Sequence, residues 1–202
     1  MKSILISIQP QWVEKILNGE KTIEIRKTAP KCEFPCKVYI YCTYGQGLTF
    51  YDDFIGTMLI CQKVNKNTTY SNMANGKVVA EFTLNGVVKF NIESIMFFGK
   101  HQELMQKSKL GGLSLRKYLG NGVGYAWGID NLKIYDKPKE LREFRKDMDC
   151  DDYPCNKNRD CKYNYYDTGE GCWACGIDFD GTNCIYKQIK RPPQSWCYVE
   201  EL

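Results

Sequence analysis

The opening segment limits the fold more than any other part of the chain. Ser3-Ile4-Leu5-Ile6-Ser7-Ile8 runs apolar or alternates, as a strand does. Pro10 then opens Trp12-Val13-Glu14-Lys15-Ile16-Leu17, a short helix with proline near its first turn and Gly19 just past its end. Thr22-Ile23-Glu24-Ile25-Arg26 alternates strictly. Ile23 and Ile25 face one side of a strand, and Thr22, Glu24 and Arg26 the other. The spacing predicts strand, helix and strand, with the glycine reversing the chain so that Lys21 and the helix start approach a common cleft.

Further strands are expected at Val38–Cys42, near Ile55–Val64, at Val78–Leu84, at Val87–Phe97, and at Tyr125–Tyr135 with an interruption at Gly128. Asn85-Gly86 reads as a two-residue hairpin turn. His101–Lys107 and Ser114–Leu119 read as short helices, and Pro138–Lys146 as a charged helix that starts with proline. A closing strand follows Pro192-Pro193. Many short strands with a few helices between them predict an α+β fold built on a small, partly closed mixed barrel. No apolar run approaches eighteen residues, and the N-terminal run is too short for a secretory signal. A soluble, cytoplasmic protein with no membrane partner is the expectation.

Charge and cysteine divide the chain. Residues 1–149 carry 22 Lys and Arg against 15 Asp and Glu, a net +7, which suits an anionic partner. Residues 150–189 carry 4 against 7, a net −3. Six of the eleven cysteines crowd into the second region: Cys150, Cys155, Cys161, Cys172, Cys175 and Cys184. Cys172-x2-Cys175 lies between Gly171 and Gly176, a spacing that lets two thiolates converge on one zinc ion. Four of the six are expected to close a structural zinc site, with no position left open for catalysis. Cys32, Cys36 and Cys197 read as buried small hydrophobes. The single histidine, His101, nearly excludes chemistry that depends on a histidine.

Lys21, Glu24 and Arg26 place two cations and one carboxylate within six residues. Arginine forks onto phosphate or stacks on a base, glutamate accepts from an exocyclic amino group, and lysine supplies a mobile charge. The bland alternative is a solvated strand face, where such pairs contribute only about 0–1 kcal/mol.

Ser7-Ile8-Gln9-Pro10 followed by Ile16-Leu17-Asn18-Gly19-Glu20-Lys21-Thr22-Ile23-Glu24-Ile25-Arg26 resembles the ASCH domain, a branch of the PUA-like superfamily. Gly124-Tyr125-Ala126-Trp127 extends the resemblance, and Arg191-Pro192-Pro193-Gln194-Ser195-Trp196 looks like the tail of phage and prophage members. The likeness covers residues 1–147 and 189–202, so 148–188 reads as a cysteine-rich insertion. The resemblance implies a small β-barrel with a cleft beside the Gly-x-Lys motif, suited to RNA or a modified nucleoside. One branch of the family hydrolyses the acetyl amide of N4-acetylcytidine with a motif lysine, a threonine two residues before the arginine, and a distant glutamate. Lys21 matches that lysine, but Glu24 stands where the threonine would be, and Thr22 is not at the matching position.

The expected function is therefore binding of RNA or a modified nucleotide. Lys21, Glu24, Arg26 and Lys27 are the ionic contacts, Trp12 or Trp196 the stacking aromatic, and Gln194 and Ser195 line the cleft. The alternative is a hydrolase of an acylated nucleoside, or a ribonuclease, with Lys21 and Glu24 as its proton-transfer pair. A third expectation is a phage-encoded protein that acts on a host protein through the cysteine-rich lobe.

Overall fold

The computed structural model describes residues 2–44, 48–51, 58–61, 74–93, 101–120, 122–147 and 189–202. The insertion expected at 148–188 lies outside the described residues. Strand β1 (Ser3–Ile8) leads into helix α1 (Pro10–Leu17) and strand β2 (Ile23–Arg26). Strands β3 (Cys36–Cys42), β4 (Leu48–Tyr51), β5 (Met58–Cys61), β6 (Lys77–Leu84) and β7 (Val87–Asn91) follow. Helices α2 (His101–Ser108) and α3 (Gly112–Leu119) precede β8 (Val123–Gly128), β9 (Asp130–Glu140) and β10 (Trp196–Val199).

The main sheet has the order β10-β1-β3-β6-β9 and is mixed: β1 and β3 are parallel, the other pairs antiparallel. A second sheet has the order β2-β8-β7, and β4 pairs with β5 alone. The α+β class holds, but the barrel does not close among the described residues, because each sheet ends in open order.

Central position explains why every residue of β1 is buried. Ile4, Ile6 and Ile8 join Val13, Ile16, Val38, Ile40 and Phe82 on the face towards α1. Leu5 faces the other way, with Tyr39, Tyr41, Tyr135, Phe144 and Val199. A strand buried on both faces reads as an apolar run, as this one does. Each fully buried Ile or Leu contributes about 1.5–3 kcal/mol by leaving water.

The strand expected over Val87–Phe97 ends at Asn91, and Ile92 and Glu93 are already helical; two further expectations need correction. Asn85-Gly86 is not a hairpin turn, because β6 pairs with β9 while β7 pairs with β8. Neither residue takes the positive φ that a type I′ turn requires. The dipeptide instead turns a corner where a two-stranded ribbon passes from one sheet to the other. Thr83 opposes Asp130 on one side of it and Val87 opposes Trp127 on the other. The Asn85 side-chain amide donates to Asp130 Oδ2 across the corner at 2.9 Å.

Pro138–Lys146 is not a helix either. Residues 138–140 end β9, and a single 3₁₀ turn, Leu141–Glu143, follows. The pairing slips between Val78–Lys139 and Ala80–Ile134, so Pro138 sits where the ladder is already interrupted and its missing N–H costs little. Glu140 and Glu143 cap the turn reciprocally, and Phe144 then enters the core against Tyr39, ring centroids 5.0 Å apart.

Candidate functional site

The turn after α1 aims Lys21 inward. Gly19 adopts φ +73°, a conformation that a side chain disfavours, and the Lys21 amide returns to the Lys15 carbonyl at 2.8 Å. The Thr22 amide donates to the Lys107 carbonyl at the end of α2, and the Thr22 carbonyl accepts from the Ile129 amide at the sheet corner. Strand β2 is thereby held from both sides. It pairs with β8 so that Glu24 opposes Trp127 and Arg26 opposes Tyr125.

The three ionic side chains do not lie on a solvated face. Lys21, Glu24 and Arg26 are 2%, 8% and 7% exposed. Lys21 Nζ sits 3.2 Å from Glu24 Oε2, and Arg26 Nε 3.1 Å from Glu24 Oε1. One carboxylate thus bridges two cations. Lys21 Nζ also donates to the carbonyls of Ile23, at 2.8 Å, and Ser108, at 2.7 Å. These two oxygens and Glu24 account for all three ammonium donors. Burial pulls the Lys21 pKa below its ordinary value; Glu24 opposes that shift and Arg26 adds to it.

Arg26 ties the motif to both ends of the chain. It donates through Nη2 to the Ser7 carbonyl at 2.7 Å and through Nη1 to Ser195 Oγ at 3.3 Å. Ser7 Oγ donates to the Pro193 carbonyl at 2.7 Å, and the Ser7 amide to the Ser195 carbonyl at 2.9 Å. The Pro192–Ser195 tail is therefore stitched onto the end of β1 beside Arg26. A guanidinium has five donors, so Arg26 has N–H groups beyond these contacts.

Trp12 is half-buried, with Lys21 Nζ 5.5 Å from its ring centroid. Lys27 is exposed and lies 5.2 Å over the ring of Tyr118. Trp196 is packed edge-on between Trp127 and Tyr198 at 5.8 and 5.4 Å, with its indole N–H on Thr28 Oγ1 at 3.0 Å. These contacts tie β10 to the core. Gln194 is exposed.

Tyr118, Ser7 and the Ser108 carbonyl are contributors that the sequence reading missed. Tyr118 lies on α3 near enough to feel both charges: burial raises its pKa, Arg26 opposes the rise and Glu24 reinforces it. Its neighbours Leu115 and Leu119 carry the helix's core face, and nothing in that spacing marks the tyrosine between them. A backbone carbonyl such as that of Ser108 leaves no signal in a sequence.

Cys150, Cys155, Cys161, Cys172, Cys175 and Cys184 lie outside the described residues. Among the described residues no group of three or more His, Cys, Asp or Glu side chains is placed to hold a metal ion. No described helix is long and apolar enough to cross a membrane.

No family model matches the chain, and no curated protein matches it. Among solved structures, a serine-to-alanine mutant of the ASCH protein from Zymomonas mobilis is similar at TM-score 0.51 and 12% identity, over 98% of this chain and 89% of that one. A tyrosine-to-phenylalanine mutant of the same protein gives TM-score 0.46 at 14% identity, over 100% of this chain and 92% of that one. In backbone architecture, then, the chain has an ASCH-type fold.

Proposed function

We propose that this protein binds RNA or a modified nucleotide beside Lys21–Lys27. The observation that carries this reading is the buried Lys21–Glu24–Arg26 cluster, flanked by a half-buried Trp12 and an exposed Lys27 on Tyr118. A basic body, net +7 over residues 1–149, supports an anionic partner. With its donors engaged, Lys21 acts by fixing Glu24. Arg26 and Lys27 make the direct contacts to phosphate or a base edge, and Trp12 and Tyr118 offer faces for stacking.

The test uses fluorescent single-stranded RNA titrated at several salt concentrations against wild type, Lys27→Ala and Trp12→Ala. Lys27→Ala should weaken binding and flatten the log–log salt slope by about 0.7, one phosphate contact on a single strand. Trp12→Ala should weaken binding by about 1–3 kcal/mol with the slope intact, as the loss of one stacked base would. Unchanged affinity and slope in both variants overturn the reading.

A second reading is hydrolysis of an acylated nucleoside or of RNA. The lowered Lys21 pKa favours it, since a buried lysine touching a carboxylate is suited to proton transfer. Product from N4-acetylcytidine or a mixed RNA pool that disappears in Lys21→Met would establish it; absence of product from both removes it.

A further inference from the structure

We propose that Cys32 and Cys36 form a redox-active dithiol, a modification site that closes to a disulfide on meeting a small-molecule disulfide of the glutathione class. Their sulfurs lie 3.4 Å apart, Cys32 Sγ directed at Cys36 Sγ. Both thiols are free. A disulfide bond is about 2.04 Å long, so the two atoms must approach by about 1.4 Å.

The two residues differ in the way such a couple requires. Cys36 is buried as the first residue of β3 and is held in register opposite Leu84. Cys32 is half-exposed in the loop that joins β2 to β3, so it both meets the oxidant and makes the movement. Burial pushes the Cys36 thiol up to about 12, and neighbouring Cys32 adds to the rise. Cys32 is accordingly the attacking thiol and Cys36 the resolving one.

The chemistry balances in two exchanges. Cys32 loses its proton and its sulfur attacks one sulfur of the small disulfide, forming a mixed disulfide and releasing one thiolate, which takes up that proton. Cys36 then loses its proton, attacks the Cys32 sulfur and expels the second thiolate, which is protonated in turn. Two protein thiols are oxidised to one disulfide, and one small disulfide is reduced to two thiols.

The bond would close a small ring in the loop that joins β2 to β3. The chain leaves Arg26 through this loop, and Thr28 and Lys31 within it contact Trp196 and Tyr198 of β10.

Trypsin makes the test independent of the other nine cysteines, because it cuts after Lys31 and Lys37 and isolates both thiols in one six-residue peptide. The full chain is equilibrated in mixtures from glutathione alone to glutathione disulfide alone, quenched in acid, alkylated with iodoacetamide, digested and weighed. The expected result is a doubly alkylated peptide in the reducing mixtures. As glutathione disulfide rises, an unalkylated peptide lighter by two hydrogens than the free dithiol should replace it. Cys36→Ser should stop the reaction halfway, with glutathione retained on Cys32. A peptide still doubly alkylated in the most oxidising mixture overturns the proposal, as does its recovery cross-linked to another cysteine. Absence of the Cys32 adduct in folded Cys36→Ser protein also overturns it. Should that variant fail to fold, the wild-type peptide decides alone.

Discussion

At the scale of single residues, the cluster around Glu24 is a balance between desolvation and pairing. Two cations and one carboxylate are almost wholly removed from water, and each cation has carbonyl or hydroxyl partners as well. A buried ion pair gains little over an apolar replacement, but removal of one partner leaves the others uncompensated. Glu24→Gln keeps the shape and removes the shared counter-charge of Lys21 and Arg26. We expect it to lower the unfolding free energy by about 3–5 kcal/mol in urea titration. A loss under about 1 kcal/mol would mean that the cluster behaves as an exposed pair. The alternation of β2 correctly put Glu24 and Arg26 on one side, and that much was legible in the sequence. Burial was not, because a solvated face and a packed one use the same alternating pattern.

At the scale of elements, the sequence was readable where one local rule acted alone and misleading where pairing partners competed. Helix α1 matched its proline and glycine signals, and α2, α3 and β10 fell close to their expected places. The errors at Asn85-Gly86 and Pro138 share a cause. Both lie on the ribbon that crosses between sheets, where long-range pairing of β6 with β9 and β7 with β8 overrides the local preference. The same ribbon explains Gly124, read only as part of a motif. A Cβ on it would stand 2.5 Å from Phe90 Cζ and 2.6 Å from Leu119 Cδ1, so its bareness lets α3 and β7 approach β8. Gly124→Val should therefore destabilise by about 1–3 kcal/mol through overpacking. A second substitution, Leu119→Ala, should recover part of that loss by vacating one of the clashing positions, and a double-mutant cycle in urea reads the coupling. Strict additivity would mean that the two side chains do not compete for this space.

At the scale of the whole molecule, the described residues on either side of the proposed insertion meet one strand, β10, or the core it helps to cover. The Asp147 amide donates to the Tyr198 carbonyl at 3.3 Å, and Lys146 forms an isolated bridge to Val199. On the far side of the insertion, Ile189 is buried with Leu5, Phe144 and Val199 in the core that β10 helps to cover. Residues 146 and 147 therefore rest on β10 itself, and Ile189 lies in the core cluster to which Val199 of β10 belongs. An inserted lobe at this place should tolerate excision, because a short flexible link loses little loop-closure entropy relative to a long one. The proposed division itself comes from composition, since charge changes sign and cysteines crowd between the two boundaries. Replacement of residues 148–188 by a glycine–serine linker is expected to leave a cooperatively unfolding protein. The reduced protein should keep its Cys32 and Cys36 reactivity and any RNA affinity that depends on Lys27. An unfolded product, or one whose thermal transition loses its cooperativity, would show that the segment belongs to the core and not to an inserted lobe.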